Sequence, residues 1–370
     1  MEFLIHRDDL KRALTHAQGI VEKRSTTPIL ASVLLQAGAD GVRVTASDKA
    51  MTFVGDFAAN VATPGEVAVD AVNFFQVARV LPNEVVSVKL AQNQRIDVRC
   101  GRSSYKLNGF PAADFPPLPS FDADRSLTIA AADLRALIDQ TLFSVAPDDN
   151  RYGLGGAHLE AVAEDPPKLR MVGTDGNRLS WSQRPFSGDL GIRSKMLMPR
   201  KPLAELRRFL DGLETDVTVG FGERSAVVRC PSFLVQMRLM EAQFPDYRAV
   251  LPTSFKRRAV LDRETFLEGL KRANIFATDG SHSVRFAFGA DELVLTARKL
   301  DAGDAREELP ADFSGEPLSV GLNARFVQEV LSVLSGSKVA IEMGDTLSPC
   351  ILRDPDVADA LFVVMPVRLD

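Results

Sequence analysis

The sequence predicts an α+β protein made of three copies of one domain, each with two helices and roughly eight strands in antiparallel sheets. Two repeated patterns carry this expectation. A short strand followed by an amphipathic helix occurs as FLIHRDDLKRALTHAQGI from Phe3, LTIAAADLRALIDQTLF from Leu127 and AVLDRETFLEGLKRANIF from Ala259. A second strand–helix unit stands in the middle of each copy: GEVAVDAVNFFQVARVLPN, KMLMPRKPLAELRRFLDG and PLSVGLNARFVQEVLSVLSG. A period this long marks domains, not solenoid units.

In the first unit the apolar positions register as Leu10/Leu134/Phe266, Leu14/Ile138/Leu270 and Ala17/Thr141/Ala273. The i, i+4, i+7 spacing places one buried stripe on each helix. The second unit registers as Phe74/Leu203/Val327, Val77/Leu206/Val330 and Val80/Phe209/Val333. Alternating strands follow each time, with Val86, Val88 and Leu90, then Val217, Val219 and Phe221, then Val339, Ile341 and Met343 on one face. Turn signals separate further strands at Gly38-Ala39-Asp40-Gly41, Asp165-Pro166-Pro167 and Gly289-Ala290-Asp291. Pro- and Asp-rich stretches, Phe115–Pro119 running into Asp122–Asp124 and Leu251–Ser254, set the expected domains at 1–123, 124–255 and 256–370.

Hydrophobic residues make up 45% of the 370 and charged residues 25%, the composition of a soluble globular chain. No apolar stretch is long enough to span a bilayer, and Met1 leads straight into the strand-like Phe3–Ile5, so a cytoplasmic protein is expected. Cys100, Cys230 and Cys350 are far apart, and His6, His16, His158 and His282 are scattered, so neither a metal nor another cofactor is expected. An enzyme hypothesis would start from Asp175 in GTDGNRLS, with Asp48 at the matching repeat position. The third copy has Lys299 there, and Thr-Asp-Gly is a turn signal. With no Walker A loop, dinucleotide fingerprint or nucleophile elbow, the expectation is a protein without a catalytic site.

The net charge of −5 argues against nucleic acid on totals alone. The charges are segregated, however. The six helical windows (8–20, 73–82, 132–143, 200–211, 263–276 and 323–335) carry twelve Lys/Arg against nine Asp/Glu, while the whole chain has 44 against 49. Three two-helix domains joined end to end can line an arc with helices, and two arcs close a ring. A basic lining without a base-reading motif binds phosphates without regard to sequence. A rival expectation is a scaffold of repeated domains that binds peptides and no DNA.

GRSSYKLNGFPAADFP (101–116), RYGLGGAHLE (151–160), GTDGNRLS (173–180), MPRKPLAEL (198–206), FPDYRAVLP (244–252) and VVMPVRL (363–369) carry a resemblance. Across its whole length the sequence resembles the beta subunit of bacterial DNA polymerase III, the sliding clamp. That resemblance implies the DNA clamp fold, with helices around a channel and sheets outside, in a head-to-tail homodimer ring. The implied partners are duplex DNA, the polymerase III alpha subunit, the clamp loader, and other polymerases and repair proteins bearing short linear motifs. It implies a peptide groove of Leu154, Thr174, Gly176, Asn177, Arg178, Leu179, Pro245, Val250, Leu347, Pro349, Val363, Val364, Met365, Pro366, Val367 and Arg368. Asn177 stands where many relatives have His, Ala249 where some have Arg, and Gly153 where some have an aromatic residue. Arg79, Arg200, Lys201, Arg207, Lys271 and Arg151 are expected at the channel or its rim from their helices and turns, and the resemblance supplements Arg24 and Tyr152. The resemblance also sets the first domain's end, basic from Lys89 to Lys106, against the third domain's acidic run Asp301, Asp304, Glu307 and Glu308. The expected apolar anchors of that contact are Leu107 and Phe110 on one side and Ile275 and Phe276 on the other.

Overall fold

Each of the six α-helices among the described residues begins where a strand stops: α1 Arg7–Ile20, α2 Ala71–Val80, α3 Ala131–Asp139, α4 Arg200–Phe209, α5 Arg263–Ala273 and α6 Ala324–Val333. The computed structural model describes residues 1–22, 27–118, 125–147, 153–189, 196–252, 254–278 and 280–368. In four of the helices the last strand residue is the N-cap. His6 accepts from Asp8 N at 3.4 Å, Asp70 from Asn73 N at 2.7 Å, and Asp262 from Thr265 N at 2.8 Å. Asn323 accepts from both Arg325 N and Phe326 N. A short polar side chain at that point satisfies amides that the helix cannot, so one residue ends the strand and starts the helix.

The chain forms two compact units. The first comprises Met1–Ala132, Ser187–Gly191 and Lys201–Leu239; the second comprises Asp133–Phe186, Ile192–Arg200 and Met240–Asp370. Each copy of the repeat contributes nine strands among the described residues, one more than expected. The compact units cut through the second copy. In the first unit a 14-stranded sheet runs on from Phe233–Arg238 to Met51–Phe57, with Phe233 opposite Gly55 and Met237 opposite Met51. In the second unit a nine-stranded sheet joins Arg178–Pro185 to Ala360–Val364, and a four-stranded sheet stands beside it in the order Gly303–Pro310, Glu292–Lys299, Ser283–Phe288, Leu318–Asn323. All strand pairings among the described residues are antiparallel, in keeping with the α+β expectation. At the hairpin Gly38↔Gly41, Gly41 has φ 126° and a Cβ there would lie 2.4 Å from Phe57 O, so glycine is needed.

The helix registers hold except in α2 and at Val333, which is half-buried. Leu10, Leu134, Phe266, Leu14, Ile138, Leu270, Ala17, Thr141 and Ala273 are all buried. So are Phe74, Leu203 and Val327, and the strand positions Val86, Val88, Val217, Val219, Val339 and Ile341. In α2, however, Val80 is 65% exposed and Val77 only half-buried. The stripe there is Ala71, Phe74 and Ala78 at i, i+3 and i+7, and α2 ends at Val80, so the next residue, Leu81, turns inward instead. Truncating Phe74 should therefore cost about 3–5 kcal/mol, and Val80→Ala less than about 0.5 kcal/mol, in urea unfolding midpoints converted with a common slope.

Candidate functional site

The apolar residues of the expected groove divide into a buried floor and exposed neighbours. Strand Ala360–Val364 lies between Arg178–Pro185 and Cys350–Arg353, with Val363 opposite both Leu179 and Ile351. Val172, Leu179, Leu197, Phe244, Tyr247, Ile351 and Val363 form one buried cluster there. Val363 and Val364 are therefore strand residues of the interior, and the tail emerges at Met365, which is 37% exposed. Val250 (48%) and Leu347 (82%) also stay exposed, each a few residues along the chain from a member of the cluster. Pro245 is exposed, Thr174 buried, and Leu154 and Pro349 half-buried. Met365 N donates to Asn177 O at 3.0 Å and Val367 N to Gly321 O at 2.9 Å, which fixes the path of Met365, Pro366, Val367 and Arg368.

Two turns that could have suggested catalysis are built by their own carboxylates. Asp175 Oδ1 accepts from Asn177 N at 3.0 Å and Arg178 N at 3.1 Å, and Gly176 sits at φ 89°. Asp48 Oδ1 accepts from Ala50 N at 3.0 Å and Met51 N at 2.7 Å in the same manner. Arg178 lies mostly beneath the surface, its side chain 10% exposed. It donates to Asp175 Oδ2, Glu329 and the Phe143 carbonyl, with the guanidinium 4.3 Å from the Phe326 ring and 5.3 Å from that of Phe143. Such a residue shapes the turn carrying Asn177 and leaves little of its own charge for a ligand. Gly153 has φ 70° and a Cβ there would lie 2.8 Å from Gln243 O, so an aromatic residue does not fit this backbone.

The sequence reading missed the ion cluster that holds the Pro245–Val250 segment. Glu160 accepts from Tyr247 OH and from Arg248 Nη2, the latter through both oxygens at 2.7 and 2.8 Å, with His158 Nε2 3.5 Å away. Tyr247 packs in the buried cluster, and Val250 closes the same 3₁₀ turn. Nothing in the spacing links residues 160 and 248, so no periodic signal could have found the pair. Burial alone would raise the Glu160 carboxyl, but hydrogen bonds from His158, Tyr247 and Arg248 outweigh it and hold the group at about 2.

The basic candidates are dispersed, and several are already paired. Arg24, Arg151 and Tyr152 lie outside the described residues. Arg79 is exposed in the last turn of α2, with no hydrogen bond or ion pair to another described residue. Lys201 Nζ lies 2.6 Å from Asp48 Oδ2, and Lys271 Nζ lies 2.7 Å from Glu268. Arg207 is half-buried; Arg200 is too, and its Nε is buried without a partner among the described residues.

The expected anchors split in the same way. Ile275 is 70% exposed, whereas Phe276 packs against the core of the second unit beside Gly303. Phe110 packs on the Leu34, Ala68 and Phe115 cluster, and Leu107 is half-buried. Of the acidic run, Glu307 pairs with Arg272 and Glu308 with Arg306.

Because its carboxyl is depressed in the folded chain, Glu160 contributes stability that is complete above about pH 4.5 and disappears as pH falls toward about 2. Glu160→Gln should be less stable than the parent at pH 7. The gap should narrow on acidification through that window, as followed by urea titration monitored at Trp181, which lies 4.4 Å from the Arg170 guanidinium in the same sheet.

Comparison with known proteins gives the same answer along the whole chain. Family models of the DNA polymerase III beta subunit match in order: the N-terminal domain at residues 1–119, the central domain at 128–246 and the C-terminal domain at 248–368. The beta sliding clamp of Caulobacter vibrioides (strain NA1000 / CB15N) is 31% identical over 373 residues, and that of Escherichia coli (strain K12) is 32% identical over 370, with 100% of both chains covered in each case. Among solved structures, a DnaN sliding clamp from Pseudomonas aeruginosa bound to griselimycin superposes with a TM-score of 0.93 at 30% identity, covering 100% of each chain. A DNA polymerase III beta subunit from Thermotoga maritima gives 0.92 at 25% identity, again over 100% of each chain. The chain belongs to the DNA polymerase III beta subunit family, the beta sliding clamps.

Proposed function

We propose that two copies of this chain close head to tail into a ring around duplex DNA, with the three clamp domains at 1–123, 124–255 and 256–370. The ring holds DNA without reading its sequence and confers processivity on a replicative polymerase in the cytoplasm. The chain supplies no catalysis of its own. The observation that carries this reading is the ordered match of three beta-subunit domains across the whole chain. Two open strand edges support the closure. Ser103–Phe110 pairs with Arg95–Cys100 on one side, but on the other only Gly109 and Phe110 are paired, leaving Ser103–Asn108 free there. Gly303–Pro310 is the outer strand of its sheet, paired among the described residues with Glu292–Lys299 alone. Each edge is a template for strand addition. Lys106 lies on the first, and Asp304 on the second, with Asp301 just before it; with Glu307 and Glu308 paired within their own chain, these two aspartates carry the charge complementarity.

Ile275 is the anchor to test, since it is exposed while Phe276, Phe110 and Leu107 are wholly or partly engaged within their own units. Ile275→Asp should fold normally yet shift the dimer toward monomer in analytical ultracentrifugation. The intact chain should persist on circular DNA and escape once the circle is cut, and Ile275→Asp should leave the circle at once. Equal retention on linear DNA with free ends would make the holding chemical, not topological. Reversing Arg79, Lys201 and Lys271 together to Glu should lower loading and its salt sensitivity, leaving the dimer intact.

The same reading assigns the surface of Leu154, Thr174, Gly176, Asn177, Arg178, Leu179, Pro245, Val250, Leu347, Pro349 and Val363 through Arg368 to short linear motifs of the alpha subunit, the loader, other polymerases and repair proteins. Leu179 lies in the interior, so a charge there would unfold the sheet; the exposed Leu347 and Met365 are the informative positions. Leu347→Lys with Met365→Lys should weaken a Gln and Leu-Phe motif peptide by about 2–4 kcal/mol in a calorimetric titration, leaving the dimer and its DNA ring unaltered.

A further inference from the structure

The four-stranded sheet of the second unit has one face against α5 and α6, where Val284, Phe286, Leu293, Leu295, Leu309 and Val320 are buried in the core. Strand alternation turns the other face outward, and the register sets its charges side by side. Arg285 stands opposite Thr296, Thr296 opposite Arg306, and Arg298 opposite Asp304. Arg285 is also opposite Gly321, which bridges to Val367 of the tail. Arg285, Thr296, Arg298, Asp304, Arg306 and Arg368 line a concavity of about 630 Å³.

Most arginines of this face are unpaired among the described residues. Arg285, Arg298 and Arg368 are exposed and make no hydrogen bond or ion pair with another described residue. Arg306 alone is paired, with Glu308 at 2.7 Å. Among the described residues Asp304 is the only carboxylate lining the concavity, and no ion pair joins it to Arg298. Cations gathered on one face repel one another, so the grouping costs stability and gains nothing inside the chain. Guanidinium groups bind carboxylate or phosphate through paired N–H bonds, and Thr296 and Ser283 add hydroxyl donors.

Two observations choose the ligand. Among the described residues no aromatic side chain lines the concavity, whereas single-stranded nucleic acid is held largely by stacking on aromatics. The tail also runs from the groove onto this face: Val363 lies in the groove floor, Met365 is bonded to Asn177, and Val367 is bonded to Gly321. From Met365 to Arg368 is three residues, roughly 10 Å of extended chain. We propose that this arginine face receives aspartate and glutamate residues that flank the groove-binding motif of a partner protein. The proposal rests on the groove reading and adds a charge-based selection among partners.

The test compares a Gln and Leu-Phe motif peptide with the same peptide carrying four Asp/Glu residues beyond one end or the other, by fluorescence anisotropy on the full chain. At low salt, one of the two extended peptides should bind about tenfold tighter than the bare motif, and the gain should vanish near ~0.5 M salt. In Arg285→Glu with Arg298→Glu the gain should vanish at any salt, while the bare motif binds as in the parent. No gain from either extension, or a gain that survives the double variant, overturns the proposal. Failure of the bare motif to bind would instead strike the groove reading. An Asp/Glu octapeptide without the motif then reads the face alone, expected to bind weakly to the parent and not at all to the double variant. An oligothymidylate that binds the face more tightly than the acidic octapeptide would overturn the choice of ligand.

Discussion

A strand at the edge of a sheet carries a row of backbone N–H and C=O groups that only water or another strand can satisfy, and the arrangement of this chain follows from how those edges are closed. Had each repeat kept its own sheet, the edges of Met51–Phe57, Phe233–Arg238, Arg178–Pro185 and Ala360–Val364 would all need cover. Instead Met51–Phe57 pairs with Phe233–Arg238, and Arg178–Pro185 with Ala360–Val364, so the second copy extends the sheets of both neighbours. The compact units therefore do not coincide with the repeats. Along Ser103–Asn108 and Gly303–Pro310 no such cover exists among the described residues. Closure by a second copy in the proposed ring applies to those edges the solution the chain already uses between its own repeats.

What was legible in the sequence is what periodicity encodes. The helices, their buried stripes and the alternating strands followed from spacings of three, four and two residues, because those positions face one core regardless of what packs against them. Val80 escaped the pattern because the match was made by aligning copies, whereas α2 buries two alanines in its stripe. An alanine is silent in a hydrophobic pattern unless a larger residue marks its face. The fused sheets were not legible at all. Phe233 and Gly55 meet across most of two repeats, and period-2 alternation states which face is buried but not which strand lies alongside.

The groove shows the same division. Its apolar residues drew notice because the tail is apolar, but the sequence could not separate Val363 and Val364, which belong to the interior, from Met365, which does not. Its charged supports were illegible for a different reason. Glu160 and Arg248, or Arg178 and Glu329, are brought together by the fold alone, and each reads in sequence as an ordinary surface charge. Glu160 and Arg178 are the largely buried members, so removing the partner of either leaves it charged and poorly solvated. The segments that present the candidate groove are thus held by paired charges beneath it, while the exposed apolar residues above remain free to meet different partners.

Pairing also bears on how an acidic chain could hold DNA and still move along it. Two of the cations expected at the channel are paired, Lys201 with Asp48 and Lys271 with Glu268, as is Arg208 nearby with Glu205. Exposed pairs of this kind contribute at most about 1 kcal/mol each. A passing phosphate can therefore take the place of the carboxylate for little net energy, and the carboxylate can take it back. Such an exchange gives no preferred position along the duplex, since each phosphate resembles the next and the sequence carries no base-reading motif. A lining of unpaired cations would bind more tightly and move less freely. In a ring, retention comes from closure, so the surface facing DNA has no need of strong attraction. In the proposed ring the overall negative charge would limit association with nucleic acid from outside, leaving the interior as the place for the two to meet.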